Sequence, residues 1–255
     1  MSAIRLGTRA STLATTQSEM VAGLLRSEGL DVNLTTITTH GDTSTASLAA
    51  MGGIGVFASA IRAALLEGEA DIAVHSFKDL PTGRPLGLAI GAVPARADPR
   101  DALVARDGLT LHDLPQEASV GTGSPRRAAQ LLAVRPDLTI VDIRGNVDTR
   151  LGRVKGLGHY AKGGGKEDLD AVVLAASGLA RLGHSGTVTE FLDPSVVLPA
   201  PAQGALAVEC RTADSRHGKL AKALARIDDR RTRLAATAER AVLSHLEAGC
   251  AAPIG

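Results

Sequence analysis

Apolar and polar positions alternate along this chain in two rhythms that take turns. Ala3 to Leu6 reads as a short strand leading into Gly7-Thr8-Arg9-Ala10-Ser11. From Thr12 to Glu28 the apolar positions Leu13, Met20, Val21, Leu24 and Leu25 follow helical spacing, and Gly29 stops the run. Val32 to Thr38 alternates apolar residues with Thr and Asn, the period of a strand. Phe57 to Glu67 is again helical and closes at Gly68. Asp71 to His75 is a compact apolar strand, followed by Ser76-Phe77-Lys78-Asp79-Leu80-Pro81. Strands that alternate with helices predict a mainly parallel sheet covered on both faces.

The pattern then restarts. Asp98-Pro99-Arg100-Asp101 is a turn-rich break before a strand over Ala102 to Ala105. Ala118 to Val120 is a strand that feeds a helix from Pro125 to Val134, and proline is well tolerated in a first helical turn. Leu138 to Ile143 is a strand with a helix from Val147, and Asp170 to Ala175 is a strand with a short helix through Leu182. Two similar α/β lobes joined near residue 98, with a cleft between them, are the expected fold. Ala205 to Cys210 is a further strand that returns to the first lobe. Helices over Asp214 to Ile227 and Arg230 to Glu247 follow, the second with Leu234, Ala238, Ala241, Val242 and Leu246 on one stripe.

Composition narrows the function. Lysine plus arginine number 28 against 27 acidic residues, which argues against a general nucleic-acid or membrane-surface coat. Three Phe, one Tyr and no Trp leave no stacking surface for single strands. No apolar run approaches the ~18 residues of a spanning helix, and the N-terminus enters structured sequence without a signal-peptide core. The cysteines, Cys210 and Cys250, have no metal-type spacing, and neither do the histidines. A cytoplasmic monomer without a metal is the expectation.

The basic residues are clustered. Arg126 and Arg127 close Gly121-Thr122-Gly123-Ser124-Pro125-Arg126-Arg127, just after one strand. Arg144 and Arg150 frame Arg144-Gly145-Asn146-Val147-Asp148-Thr149-Arg150, just after the next. Guanidinium forks suit carboxylates and phosphates, and ligands of open α/β sheets bind beyond the carboxyl ends of strands. These positions predict a pocket for a small molecule with many carboxylates. Gly53-Ile54-Gly55-Val56-Phe57-Ala58 fits a dinucleotide pattern but follows a polar loop instead of a strand, so it reads as a glycine-rich loop over the cleft.

Taken together, these segments resemble the porphobilinogen deaminase (hydroxymethylbilane synthase) family. The matching stretches are Leu6 to Ser11, His75 to Pro81, Gly121 to Arg127, Arg144 to Arg150, and Gly249-Cys250 with Pro253-Ile254-Gly255; Asp98 to Asp101 and Gln203-Gly204-Ala205 add support. The resemblance implies a transferase of tetrapyrrole (haem) biosynthesis that joins four porphobilinogen molecules head to tail and releases ammonia. It implies growth on a dipyrromethane cofactor bonded as a thioether to Cys250. By the same resemblance Asp79 is the catalytic residue, stabilising a cationic azafulvene and relaying protons. Lys78, Asp79, Thr122, Ser124, Arg126, Arg127 and Arg150 are cofactor-binding, and Arg9, Ser11, Arg144, Arg150 and Arg181 bind substrate. Cys210 reads as a buried structural thiol and Arg153 as a surface charge.

The domains expected are 1–97 with 196–211, then 98–195, then a partial third α+β domain over 212–255 that carries Cys250. Thr12 stands where many members have proline, and Ile54 and Ser59 where some carry lysine. Residues 156–166 read as a flexible Gly- and Lys-rich insertion. Members of the family continue past Pro-Ile-Gly into strands, so a truncated member with exposed apolar helix faces is expected. Two alternatives stay open: a non-catalytic two-lobed anion-binding protein of the solute-binding kind, and a truncated inactive member. A nucleic-acid binder using the arginine clusters is the weaker rival.

Overall fold

The computed structural model describes residues 3–37, 56–83, 85–248 and 252–255. The chain divides into two compact units, 1–97 with 205–250 and 98–204 with 251–255.

The first unit is built on a five-stranded sheet in the order β2-β1-β3-β10-β4. Its strands are β1 (Ile4–Thr8), β2 (Val32–Thr36), β3 (Ile72–Ser76), β4 (Leu88–Ala92) and β10 (Leu206–Arg211). β1 runs parallel to both β2 and β3, while β10 lies antiparallel to β3 and β4. Side chains alternate between the two faces of each strand. Leu6, Ile72, Val74, Val208 and Cys210 point to one face, where Val21 and Leu25 of α1 (Thr12–Ser27) cover them. Ala73 and Leu88 point to the other, under Ile61 and Leu65 of α2 (Val56–Leu66). Each buried Leu, Ile or Val among them contributes about 1.5–3 kcal/mol. On that second face Glu209 of β10 is buried and paired with Arg62 at 2.9 Å. His75 Nε2 stands 3.2 Å from the same carboxylate, off the line of a hydrogen bond.

The second unit repeats the plan. Its sheet has the order β7-β6-β8-β5-β9, from β5 (Asp101–Ala105), β6 (Ser119–Gly121), β7 (Thr139–Val141), β8 (Ala171–Ala175) and β9 (Glu190–Phe191). β6 is parallel to β7 and β8, and β5 is antiparallel to β8 and β9. Leu131 of α3 (Pro125–Val134) packs with Leu103, Val120 and Val173 on one face. Leu151 of α4 (Val147–Leu151) and Leu179 of α5 (Ala176–Arg181) pack with Val104 and Val172 on the other.

The sheets are therefore mixed and not mainly parallel. In each, the strand at a chain crossing (β10 or β5) enters against the direction of its neighbours. β4 and β9 carried too little pattern to be anticipated; β9 has two residues.

Helices α6 (Gly218–Ile227) and α7 (Arg230–His245) group with the first unit, and 196–204 groups with the second. α6 buries Ala223 and Leu224 on the α1 face of the sheet. α7 buries Thr232, Ala236, Arg240 and Leu243, which leaves the predicted stripe outward: Leu234, Val242 and Leu246 are each more than half exposed.

The 156–166 segment is folded on itself. Gly165 N–H donates to the Gly158 carbonyl at 3.0 Å, and Glu167 accepts from Gly158 N–H at 2.7 Å. A Cβ on Gly165 would stand 1.7 Å from the Gly152 carbonyl oxygen, so only glycine permits this approach.

Candidate active site

In the first unit two loops leave the same sheet edge, because β1 and β3 are parallel neighbours. After β1 come Arg9, half-buried, and Ser11, whose Oγ caps α1 by accepting from Ala14 N–H at 3.4 Å. After β3 the chain makes a single turn over Phe77–Asp79, with Lys78 half-buried and Asp79 exposed at its end. This turn is clamped from α7. The guanidinium of Arg240 donates to the carbonyls of Phe77, Leu80 and Pro81, each at 2.8 Å, and stacks 4.5 Å over the Phe77 ring. Gln17 adds a tie from α1, its amide 3.1 Å from Ser76 Oγ.

In the second unit β6, β7 and β8 are parallel, and their carboxyl ends deliver the remaining predicted residues to one edge. Thr122 is buried, and its Oγ1 accepts from Ser124 N–H at 3.2 Å. Ser124 in turn caps α3, accepting from Arg127 N–H at 3.5 Å. Gly123 permits this turn to lie against the next loop, since a Cβ there would come within 2.7 Å of the Ile143 carbonyl oxygen.

Arg126 and Arg127 are brought together, but around a protein carboxylate. Both are buried, and both pair with the fully buried Asp101 at 2.7 Å. Gln203 donates to the same carboxylate at 2.8 Å. Each also donates to the backbone, Arg126 to the Leu198 carbonyl and Arg127 to the Val173 carbonyl. Burial pushes the Asp101 carboxyl up, yet the Arg127 and Arg126 charges and hydrogen bonds outweigh it and hold it below the usual range. Two guanidinium groups against one carboxylate leave a net positive charge at this edge.

Arg144 is exposed and only 3.4 Å from Asp142. Arg150, on α4, donates from Nε to the Gly145 carbonyl at 2.9 Å. Arg181 closes α5 with one donor on the Gly204 carbonyl at 2.7 Å. Its buried Nε has no hydrogen-bond partner among the described residues, and burial alone pulls its guanidinium below its ordinary value. A half-buried cation left without a counter-charge in this way fits an anionic ligand group. Cys250 and the Gly53–Gly55 part of the glycine loop lie outside the described residues.

Sequence reasoning missed Asp101, Gln17 and Arg240. Each is a polar residue on a face that must be buried: Asp101 opens an apolar strand, while Gln17 and Arg240 sit on the inward stripes of their helices. That conflict is the signal that could have found Asp101 and Gln17.

Two mixed α/β lobes with basic loops at the strand ends define a class, the solute-binding type of fold. Solved structures agree: a periplasmic substrate-binding protein of an ABC transporter from Coxiella burnetii matches with a TM-score of 0.50 and 17% identity, over 92% of this chain and 96% of that one. A nutrient-binding protein from Burkholderia cenocepacia bound to methionine matches with 0.50 and 16%, over 87% and 91%. The family is set by sequence. Residues 4–219 match the profile described as "Porphobilinogen deaminase, dipyromethane cofactor binding domain". The porphobilinogen deaminase of Cutibacterium acnes is 99% identical over 255 residues, all of this chain and 76% of that protein. That of Micrococcus luteus is 57% identical over 274 residues, all of this chain and 73% of that protein. The chain belongs to the porphobilinogen deaminase family, transferases of tetrapyrrole biosynthesis, and carries the family's dipyrromethane cofactor binding domain. Among the described residues no helix is long and apolar enough to cross a membrane.

Proposed function

We propose that the chain joins four porphobilinogen molecules head to tail into hydroxymethylbilane, on a dipyrromethane primer held as a thioether by Cys250. Bound there, the primer supplies the free pyrrole carbon at which the chain is extended. Each addition forms one carbon–carbon bond, breaks one carbon–nitrogen and one carbon–hydrogen bond, and releases one ammonia; water finally breaks the bond between primer and product, leaving its hydroxyl on the freed tetrapyrrole and its proton on the pyrrole carbon that stays with the chain.

The observation that carries this reading is the setting of Asp79. It is an exposed carboxylate on a turn whose carbonyls Arg240 locks at three points, at the sheet edge that also carries Arg9 and Ser11. A fixed carboxylate can stabilise the cation left when the substrate amine departs. It can also carry the proton lost from the attacking pyrrole carbon. Lys78 supplies a neighbouring positive charge for a carboxylate of the primer.

In the second unit Arg181, with its orphaned Nε, binds a substrate carboxylate, joined by Arg144 and Arg150. The cofactor-side residues are Thr122, Ser124, Arg126, Arg127 and Arg150. Arg126 and Arg127 act there chiefly as a rigid positive wall, since Asp101 orients both forks. Work as a cytoplasmic monomer belongs to the same proposal.

The test is turnover of porphobilinogen by the chain and by Asp79→Asn and Asp79→Glu. General acid–base work by one group is worth roughly 10²–10⁴-fold, so Asp79→Asn falls by that factor and Asp79→Glu by less. Equal turnover in wild type and Asp79→Asn contradicts the assignment. Tight anion binding with no turnover in the wild type favours a binding protein.

A further inference from the structure

Helix α4 carries Arg150 and is only five residues long. So short a helix has no stability of its own in water, and tertiary ties must set its orientation. Three are present. Asn146 caps it, accepting from Thr149 N–H at 2.8 Å. Leu151 is fully buried at its end. The third is unexpected from the sequence: Asp148 Oδ1 lies 2.7 Å from Nε2 of His184.

His184 belongs to the turn that closes α5, three residues after Arg181. That turn is itself fixed, with His184 N–H on the Leu179 carbonyl at 2.8 Å and Gly183 N–H on Ala180 at 3.1 Å. The imidazole is also held edge-on against Tyr160, with ring centroids 5.1 Å apart. Asp148 and Arg150 are two positions apart, so they project about 200° from each other around the helix axis. A tie on the Asp148 side therefore sets the roll of the helix and with it the direction of Arg150. The same tie joins α4 to the segment that ends in Arg181.

We propose that Asp148 and His184 form a positioning pair that holds Arg150 and Arg181 in fixed relation, so that both guanidinium groups meet the carboxylates of one ligand. The proposal rests on the reading of Arg150 and Arg181 as ligand-binding residues. Neither Asp148 nor His184 need touch the ligand. Carboxylate recognition by guanidinium depends on orientation as well as charge, and a loss of preset geometry weakens binding without removing a contact.

The test is calorimetric titration of the whole chain with porphobilinogen, in an Asp79→Asn background to suppress turnover, with thermal unfolding measured beside it. His184→Leu weakens binding roughly tenfold, a typical coupling for residues in one network, and Asp148→Ala does the same. His184→Gln, whose side-chain amide can still donate to Asp148, recovers most of the affinity. In an Arg150→Ala background His184→Leu has no further effect on binding, because the pair acts through Arg150. Equal losses with and without Arg150, or a lowered unfolding temperature at unchanged affinity, overturn the pair as a positioning device. Unchanged affinity in Arg150→Ala and Arg181→Ala instead overturns the underlying reading of the arginines, and the pair's role with it.

Discussion

Arg127 delivers two hydrogen bonds to one oxygen of Asp101, from Nε at 3.0 Å and from a terminal nitrogen at 2.7 Å, in a site where Asp101 has no exposed surface. Arg126 takes the other oxygen. The two arginines that read from sequence as ligand clamps thus have a structural partner of their own. They hold β5, α3 and the Gln203 segment of the second unit around a single buried charge. Removing the carboxylate leaves two buried cations unpaired, which costs about 3–5 kcal/mol. Asp101→Ala should lower the unfolding free energy by that much, moving the urea midpoint down with no change in slope; a loss under ~1 kcal/mol contradicts this.

Buried carboxylates also set the response to acid. Asp101 and Glu209 are pushed up by burial but held below the usual range, Asp101 by Arg127 and Arg126 and Glu209 by His75 and then Arg62. Asp170 is depressed likewise: burial raises it, and hydrogen bonds from Lys155, Ser119 and Arg106 more than offset this. A group whose folded value lies below its unfolded one contributes stability above the unfolded value and loses it as pH falls. The urea midpoint should therefore be flat from about pH 7 to 5 and fall steeply below about pH 4. A midpoint that rises on acidification contradicts this.

Arg181 makes a different prediction for stability. Among the described residues its buried Nε has no hydrogen-bond partner, and burial opposes its charge. Arg181→Leu should leave thermal stability little changed, since relief of a buried charge offsets the lost hydrogen bond to Gly204, while weakening porphobilinogen binding by roughly 10–100-fold, the worth of a charged hydrogen bond. A large fall in stability with unchanged binding would assign Arg181 to the scaffold.

Arg240 links α7 to the turn that carries Asp79. Arg240→Met keeps an apolar stem and removes the guanidinium that makes the three hydrogen bonds. Unsatisfied carbonyls cost about 1–3 kcal/mol, and a loosened Asp79 should lower kcat more than it raises KM. Unchanged kcat in a stably folded variant contradicts the clamp.

Much of this was legible in the residues, for particular reasons. α3 runs from Pro125 to Val134 as read, because Ser124, Pro125 and the apolar spacing all mark the same start. The loops after β1, β3, β6 and β7 were placed correctly because turn residues follow short apolar runs. The direction of β5 and β10 was not legible, since a side-chain pattern of period two is the same either way along a strand. α7 misled for a physical reason: its apolar stripe faces outward, while Arg240 is buried by the carbonyls it satisfies. The Asp148–His184 pair depends on a contact between distant segments, which no local spacing encodes.

The proposed synthesis requires that the chain build its tetrapyrrole on a primer bonded to Cys250. The most direct test is the intact mass of the purified chain beside Cys250→Ser. The account predicts added mass equal to two porphobilinogen units less two ammonias, absent from the variant. An unmodified wild-type mass that stays unmodified after incubation with hydroxymethylbilane would contradict it.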